Sequence, residues 1–181
     1  LWLRGDKDNG AEVLFRGAMM PSIEIALSEL RGGWRGGPVR LELKKGGGKE
    51  SFRIFSDKNG IKITSAGDAG LLYGAYHLLR MQNTGADMSN IDVSETPAFD
   101  LRILNHWDNP DGSIERGYAG HSLWRWDELP GVVSPRYREY ARANASVGIN
   151  GAVLNNVNAS PTILTKDNLV KVKAIADELR P

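Results

Sequence analysis

The chain has 181 residues, of which 41% are hydrophobic and 25% are charged, the composition of an ordinary globular protein. With 23 basic against 22 acidic residues, its net charge of +1 gives no broad field favouring nucleic acid or a membrane surface. No apolar run is long enough to span a bilayer, and the lack of cysteine excludes disulfides and thiolate metal sites. The length predicts one moderate domain, or one small domain and part of another.

The first half of the sequence predicts a compact α+β domain. A short strand is expected within residues 12–16, and Pro21 opens a helix in "PSIEIALSELRGG". "PVRLELK" alternates apolar and charged residues as a half-buried strand does, and the next segment predicts a β-hairpin around Asn59-Gly60. "GLLYGAYHLLRM" has the broad apolar face of a helix. We therefore expect residues 1–96 to form a β-sheet packed on two helices.

The pattern changes after "ADMSNIDVSETPAFD", a segment with the composition of a linker that contains Pro97. Beyond it the strand "FDLRIL", the helix "SPRYREYARANASVG", the strand "INGAVLNNV" and the helix "TKDNLVKVKAIADEL" follow one another. This alternation predicts parallel strand pairing with a right-handed crossover. Two such units cannot cover both faces of a sheet, so we interpret residues 97–181 as the start of a larger domain. We therefore expect the chain to be an N-terminal fragment, and its start at Leu1, without a methionine or a signal-peptide pattern, indicates a mature or trimmed chain.

Side chains that could bind a ligand are concentrated between the strand "FDLRIL" and the helix "SPRYREYARANASVG". Residues 104–126, "LNHWDNPDGSIERGYAGHSLWRW", combine three tryptophans and two histidines with charged side chains and glycines. Loops of that composition usually hold ligands, because scaffold elements need only pattern and packing. This loop is therefore the first candidate for a binding site.

The loop, together with "GINGAVLNNVNA" further on, resembles the xylan α-glucuronidases of glycoside hydrolase family 67. The helix "GLLYGAYHLLR" is similar to the closing helix of the small N-terminal domain of that family and of hexosaminidase-like glycosidases. The resemblance implies a hexosaminidase-like α+β domain, followed in residues 97–181 by the first two βα units of a (β/α)₈ barrel. In such barrels the active site lies at the C-terminal ends of the strands. Both polar loops then belong to one face.

The family resemblance also implies a reaction. Members release (4-O-methyl-)glucuronic acid from xylooligosaccharides with inversion, which requires two separated carboxyl groups. In the resembling enzymes these groups come from later barrel strands. We therefore expect no catalytic residue in this chain, no cofactor, and no activity of the fragment alone. The implied partners are glucuronoxylan-derived oligosaccharides, with neither nucleic acid nor membrane.

Five residues are expected to bind substrate. Trp107 would stack on a sugar ring, unless it is a core residue at the barrel mouth. Glu115 would hold sugar hydroxyls and Arg116 the uronate carboxylate, unless the two form an internal pair that shapes the loop. Asn156 and Val157 follow the second strand, and the resemblance places Val157 beside the 4-O-methyl group. Alternatively, the asparagines brace neighbouring loops.

Other interpretations stay open. His106 and His121 lack partners at metal-ligand spacing, so we expect structural histidines and no metal site. A hexosaminidase-like glycosidase of another family and a non-catalytic carbohydrate-binding domain are the alternatives in function. The compartment is undetermined, with a periplasmic or extracellular location slightly favoured over a cytoplasmic one. Because the truncated second domain would expose apolar surface, we expect the fragment to self-associate.

Overall fold

The computed structural model describes residues 2–3 and 10–180, which form a mixed α/β structure of two compact units. The first unit contains the residues up to Asp100 and the segment Ala145–Gly148. The second contains Leu101–Asn144 and Ile149–Arg180. Among the described residues, no helix has the length and apolar character needed to cross a membrane.

The first unit is built on a five-stranded sheet. Its strands are β1 (Val13–Phe15), β2 (Val39–Leu43), β3 (Phe52–Asp57), β4 (Gly60–Ser65) and β5 (Asp92–Glu95). Their order is β1-β2-β4-β3-β5, with β1, β2 and β4 mutually parallel and β3 antiparallel to both of its neighbours. The helices are α1 (Pro21–Gly33) and α2 (Asp68–Asn83). The predicted sheet with two helices and the predicted β3–β4 hairpin are therefore confirmed.

The core of this unit follows from the alternation of its strands and the apolar stripes of its helices. Val39, Ile54 and Ile63 of the sheet are completely buried, as are apolar residues of α1 and α2. Gly74 brings α2 close to β4, because a Cβ atom there would lie 2.6 Å from Cγ2 of Ile63. The sheet and the helix pair thus share one close-packed interior.

One strand falls in the segment predicted to be a linker. β5 pairs with β3, and Arg53 forms a two-pronged ion pair with Asp92, at 2.8 and 2.9 Å. Ile91 is buried beside this strand. The linker prediction was wrong there because it relied on the polar composition of the segment. The short alternation of apolar and polar residues in "IDVSE" is enough for an edge strand.

The second unit contains a pair of parallel strands, β6 (Ile103–Asn105) and β7 (Gly151–Val153), in agreement with the predicted parallel pairing. Its helices are α3 (Pro135–Ala145) and α4 (Lys166–Leu179), preceded by a 3-10 helix at Pro161–Leu164. This unit has its own core, formed by Trp124, Trp126, Leu129, Tyr137 and Ile175. Three of those residues lie within or next to the aromatic loop, so much of the loop's apolar content packs inside this unit.

Candidate functional site

The loops that follow β6 and β7 meet at one edge of the second unit. His106 N–H donates to the Val153 carbonyl (3.0 Å), which extends the parallel pairing by one bond. Asn156 N–H then donates to the Asp108 carbonyl at 2.7 Å. The convergence expected of two parallel strands is therefore present, and backbone hydrogen bonds fix the register of the two loops.

The first loop folds back on itself between Asp108 and Ser122. Isolated bridges join Asp108 to Ile114 and Ser113 to His121. Asp111 accepts from both the backbone N–H (2.9 Å) and the hydroxyl (2.6 Å) of Ser113, and these bonds lower the pKa of its carboxyl. Asn109 donates its side-chain N–H to the Glu115 carbonyl at 2.8 Å. The polar residues of "WDNPDG" thus build the turn.

Glu115 is the most unusual residue of this loop. Its φ of +57° lies in the left-handed region, where residues other than glycine are uncommon. Its N–H donates to the Trp107 carbonyl (2.7 Å), and its carbonyl accepts from the side chains of Asn109 and Asn156. The side chain is only 12% exposed, yet its Oε2 is buried without a hydrogen-bond partner. A buried carboxylate oxygen left unpaired is costly, and such strain and under-satisfaction concentrate at functional sites.

Around Glu115 the other predicted residues differ in exposure. Trp107 is 47% exposed and Val157 80% exposed, whereas Asn156 is buried. The Arg116 side chain is 82% exposed, with its Nε 3.9 Å from Oε1 of Glu115. Asn156 donates to the Glu115 carbonyl at 3.4 Å and accepts from Asn158 N–H at 2.9 Å.

Hydrogen bonds thus join three of these residues, because the Glu115 backbone bonds both Trp107 and Asn156. Arg116 and Val157 are their neighbours in the chain. The group presents a half-exposed aromatic ring and an exposed cation, next in sequence to the largely buried carboxyl group of Glu115. That combination suits a sugar acid, since sugar rings have apolar faces, hydroxyl donors and an anionic group.

Next to the site lies a chain of polar side chains, formed by Tyr140, His106, Asp108 and Ser122, which the sequence did not predict as a group. The hydroxyl of Tyr140 lies 2.6 Å from Nε2 of His106, whose Nδ1 lies 3.6 Å from Oδ1 of Asp108. Ser122 donates its hydroxyl to the other oxygen of Asp108. The available signal was the pair His106 and Asp108 on either side of Trp107, directly after the predicted strand.

A separate cavity of about 750 Å³ lies in the second unit, and none of the five predicted residues lines it. Its walls include Arg125, Glu128 and Lys171. Arg125 and Glu128 approach to 3.7 Å, and Lys171 donates to the Trp126 carbonyl. Within residues 10–180, His, Asp and Glu side chains form no group that could hold a metal ion.

Comparison with known proteins gives a consistent result. The family model for the glycosyl hydrolase family 67 middle domain matches residues 81–181. "Probable alpha-glucuronidase A" of Aspergillus terreus is 42% identical over 135 residues, which is 73% of this chain and 16% of that protein. The protein of the same name from Neosartorya fischeri is 42% identical over 132 residues, with the same shares. The chain therefore spans about a sixth of the length of these curated relatives.

Solved structures show the same class of fold at low identity. A GH138 enzyme targeting pectin rhamnogalacturonan II superposes with a TM-score of 0.63 at 15% identity, over 93% of this chain and 23% of that one. A GH20 exo-β-N-acetylglucosaminidase from Vibrio harveyi gives 0.52 at 13% identity, over 80% and 22%. These neighbours bear on the fold alone, whereas the family model covers more than half of the sequence. The chain belongs to glycosyl hydrolase family 67.

Proposed function

We propose that this chain is the N-terminal part of an inverting α-glucuronidase that releases (4-O-methyl-)glucuronic acid from xylooligosaccharides. The observation that carries the proposal is the strained and largely buried Glu115, whose N–H bonds the carbonyl of the half-exposed Trp107 at the carboxyl ends of two parallel strands. It lies within the segment matched by the family model. The names of the fungal relatives support the same activity.

Each site residue has a distinct proposed role. Trp107 stacks on the apolar face of the uronic acid, and Glu115 accepts a hydrogen bond from a sugar hydroxyl. Arg116 pairs with the uronate carboxylate, for which its exposed guanidinium has the required fork of donors. Asn156 holds the Glu115 carbonyl, and Val157 leaves room for the 4-O-methyl group. The exposure of Val157 and its position next to Asn156 support this assignment.

We further propose that residues 1–96 form the N-terminal domain and residues 97–181 the first two βα units of a (β/α)₈ barrel. Inverting hydrolysis needs a general acid and a general base on opposite sides of the scissile bond. We place both beyond residue 181. On this account the 181-residue chain supplies one wall of the sugar pocket and is inactive alone.

The test is glucuronic acid release from aldotetraouronic acid, assayed for the longer protein that continues past residue 181 and for the 181-residue chain. Release by the longer protein alone is the expected result. Release of N-acetylglucosamine from a chromogenic β-N-acetylglucosaminide, without glucuronic acid release, would favour a hexosaminidase-like enzyme instead. Glucuronic acid release by the 181-residue chain would contradict the proposed location of the catalytic groups and would make Glu115 a candidate catalytic acid.

A further inference from the structure

The chain of polar side chains behind the candidate site connects that site to helix α3. Tyr140 lies on α3 and contacts His106 through its hydroxyl, and Asp108 and Ser122 complete the chain. The side chain of Asn144, one turn further along α3, hydrogen-bonds the Tyr140 hydroxyl. Asp108 is buried and His106 nearly so. Networks of this kind fix orientation because each member has one favourable arrangement.

One arrangement of protons fits these contacts. Nδ1 of His106 lies 3.6 Å from the Asp108 side chain, which favours the tautomer with the ring proton on Nδ1. Nε2 is then an acceptor, and the Tyr140 hydroxyl donates to it. Burial raises the pKa of Tyr140, as does the nearby charge of Asp108, so the hydroxyl keeps its proton. Ring contacts hold the imidazole as well, with Trp124 at 5.3 Å and Tyr140 at 5.4 Å between centroids.

Backbone hydrogen bonds connect these residues to the candidate site. The Asp108 carbonyl accepts from Asn156 N–H, and the Trp107 carbonyl accepts from Glu115 N–H, both at 2.7 Å. Trp107 stands between His106 and Asp108 in the chain, so holding both neighbours restricts the backbone that carries its ring. Trp107 and Glu115 are thus connected through the backbone to the residues that contact α3.

We propose that Tyr140, His106 and Asp108 are positioning residues, which hold Trp107 and Glu115 in the orientation that binds the sugar. The inference rests on the proposed function for its purpose, but its geometry does not. None of the three touches the ligand in this account. They act through the two backbone hydrogen bonds that fix the site, which makes α3 the support of the sugar-binding edge.

Hydrogen exchange on the 181-residue chain tests the positioning role without any substrate. Tyr140→Phe removes one hydroxyl from the chain, and Tyr118→Phe is the matched control because Tyr118 is exposed in the same loop. We expect the amides of Glu115 and Asn156 to exchange about 5-fold faster in Tyr140→Phe, as for the loss of one hydrogen bond. The amides of α4 should not change, nor should any amide in the control. Unchanged exchange at both amides, or an equal increase throughout α4, overturns the proposal.

The tautomer of His106 gives a second measurement that needs no variant in the network. Long-range ¹H–¹⁵N spectra of the wild-type chain, with His106 assigned by substituting His77 and His121, report which of its ring nitrogens carries the proton. We expect the proton on Nδ1 alone. A proton on Nε2 would mean that the Tyr140 hydroxyl does not donate there, and it would overturn the proposed chain even if Tyr140→Phe failed to fold.

Kinetics of the longer protein separate this inference from the proposed function. Tyr140→Phe should lower kcat/KM for aldotetraouronic acid at least 5-fold, whereas Tyr118→Phe should leave it unchanged. Faster local exchange in a protein that releases no glucuronic acid would keep the positioning chain and reject the proposed function. Glucuronic acid release with no local change in exchange would keep the function and reject the positioning chain.

Discussion

At the scale of single residues, Trp107 tests the sugar-binding role with only a moderate effect on folding. Since about half of its side chain is buried, replacing it by alanine should lower the free energy of unfolding by about 1–3 kcal/mol. If the ring stacks on the sugar, the same replacement should weaken binding of aldotetraouronic acid to the longer protein by about 10-fold. Isothermal titration calorimetry measures this, and equal affinity of Trp107→Ala and wild type would remove Trp107 from the site.

Asp111 should make the turn of the first loop sensitive to acid. The bonds from Ser113 lower its pKa in the folded state. A carboxyl with a lowered folded pKa contributes stability above its unfolded pKa and loses that contribution as pH falls through the folded value. Carboxyl ¹³C titration should therefore give a midpoint below about 3.9, the ordinary value for aspartate. In Asp111→Asn the part of the stability that is lost in acid through Asp111 should be absent. An ordinary midpoint for Asp111 in the wild type would contradict the turn geometry.

At the scale of elements, the contact between α2 and β4 requires glycine at position 74. Gly74→Ala should destabilise the protein by about 1–3 kcal/mol through overpacking against Ile63, despite the better helix propensity of alanine. Gly32→Ala is the matched control, since a Cβ at Gly32 of α1 meets nothing within 4 Å. Chemical denaturation should show a loss for Gly74→Ala and no loss for Gly32→Ala. Equal effects of the two would contradict the close packing.

Hydrophobic patterns, together with proline and glycine signals at segment ends, predicted all four α-helices of the described residues and six of their seven strands. The exception, β5, has only four residues and is held at a sheet edge by the β3 ladder and by Arg53, a partner 39 residues away. The resemblance selected the five candidate site residues, yet it gave neither the left-handed backbone of Glu115 nor the buried state of Asn156. Those properties arise from hydrogen bonds between segments distant in sequence, which a local pattern does not contain.

At the scale of the whole molecule, the second unit exposes much apolar surface. Its exposed apolar side chains include Leu101, Ile103, Leu104, Val153, Leu164 and Val170. Exposed apolar surface favours association, so we predict that the 181-residue chain self-associates in solution. Sedimentation velocity should show a weight-average mass that rises with protein concentration. A strict monomer of 19.8 kDa across that range would contradict this prediction.

The proposed sugar-binding edge depends most on Glu115, and the activity of a variant without its carboxylate is the measurement that we would make first. Glu115→Gln in the longer protein should lower kcat/KM for aldotetraouronic acid about 10-fold or more, because a hydrogen bond to a charged group contributes about 1.5–3 kcal/mol. Its melting temperature should stay the same or rise, since the buried Oε2 has no partner to lose. Glu139→Gln, an exposed change on α3, is the control. Full activity of Glu115→Gln, or an equal loss in the control, would contradict the sugar-binding role of this edge.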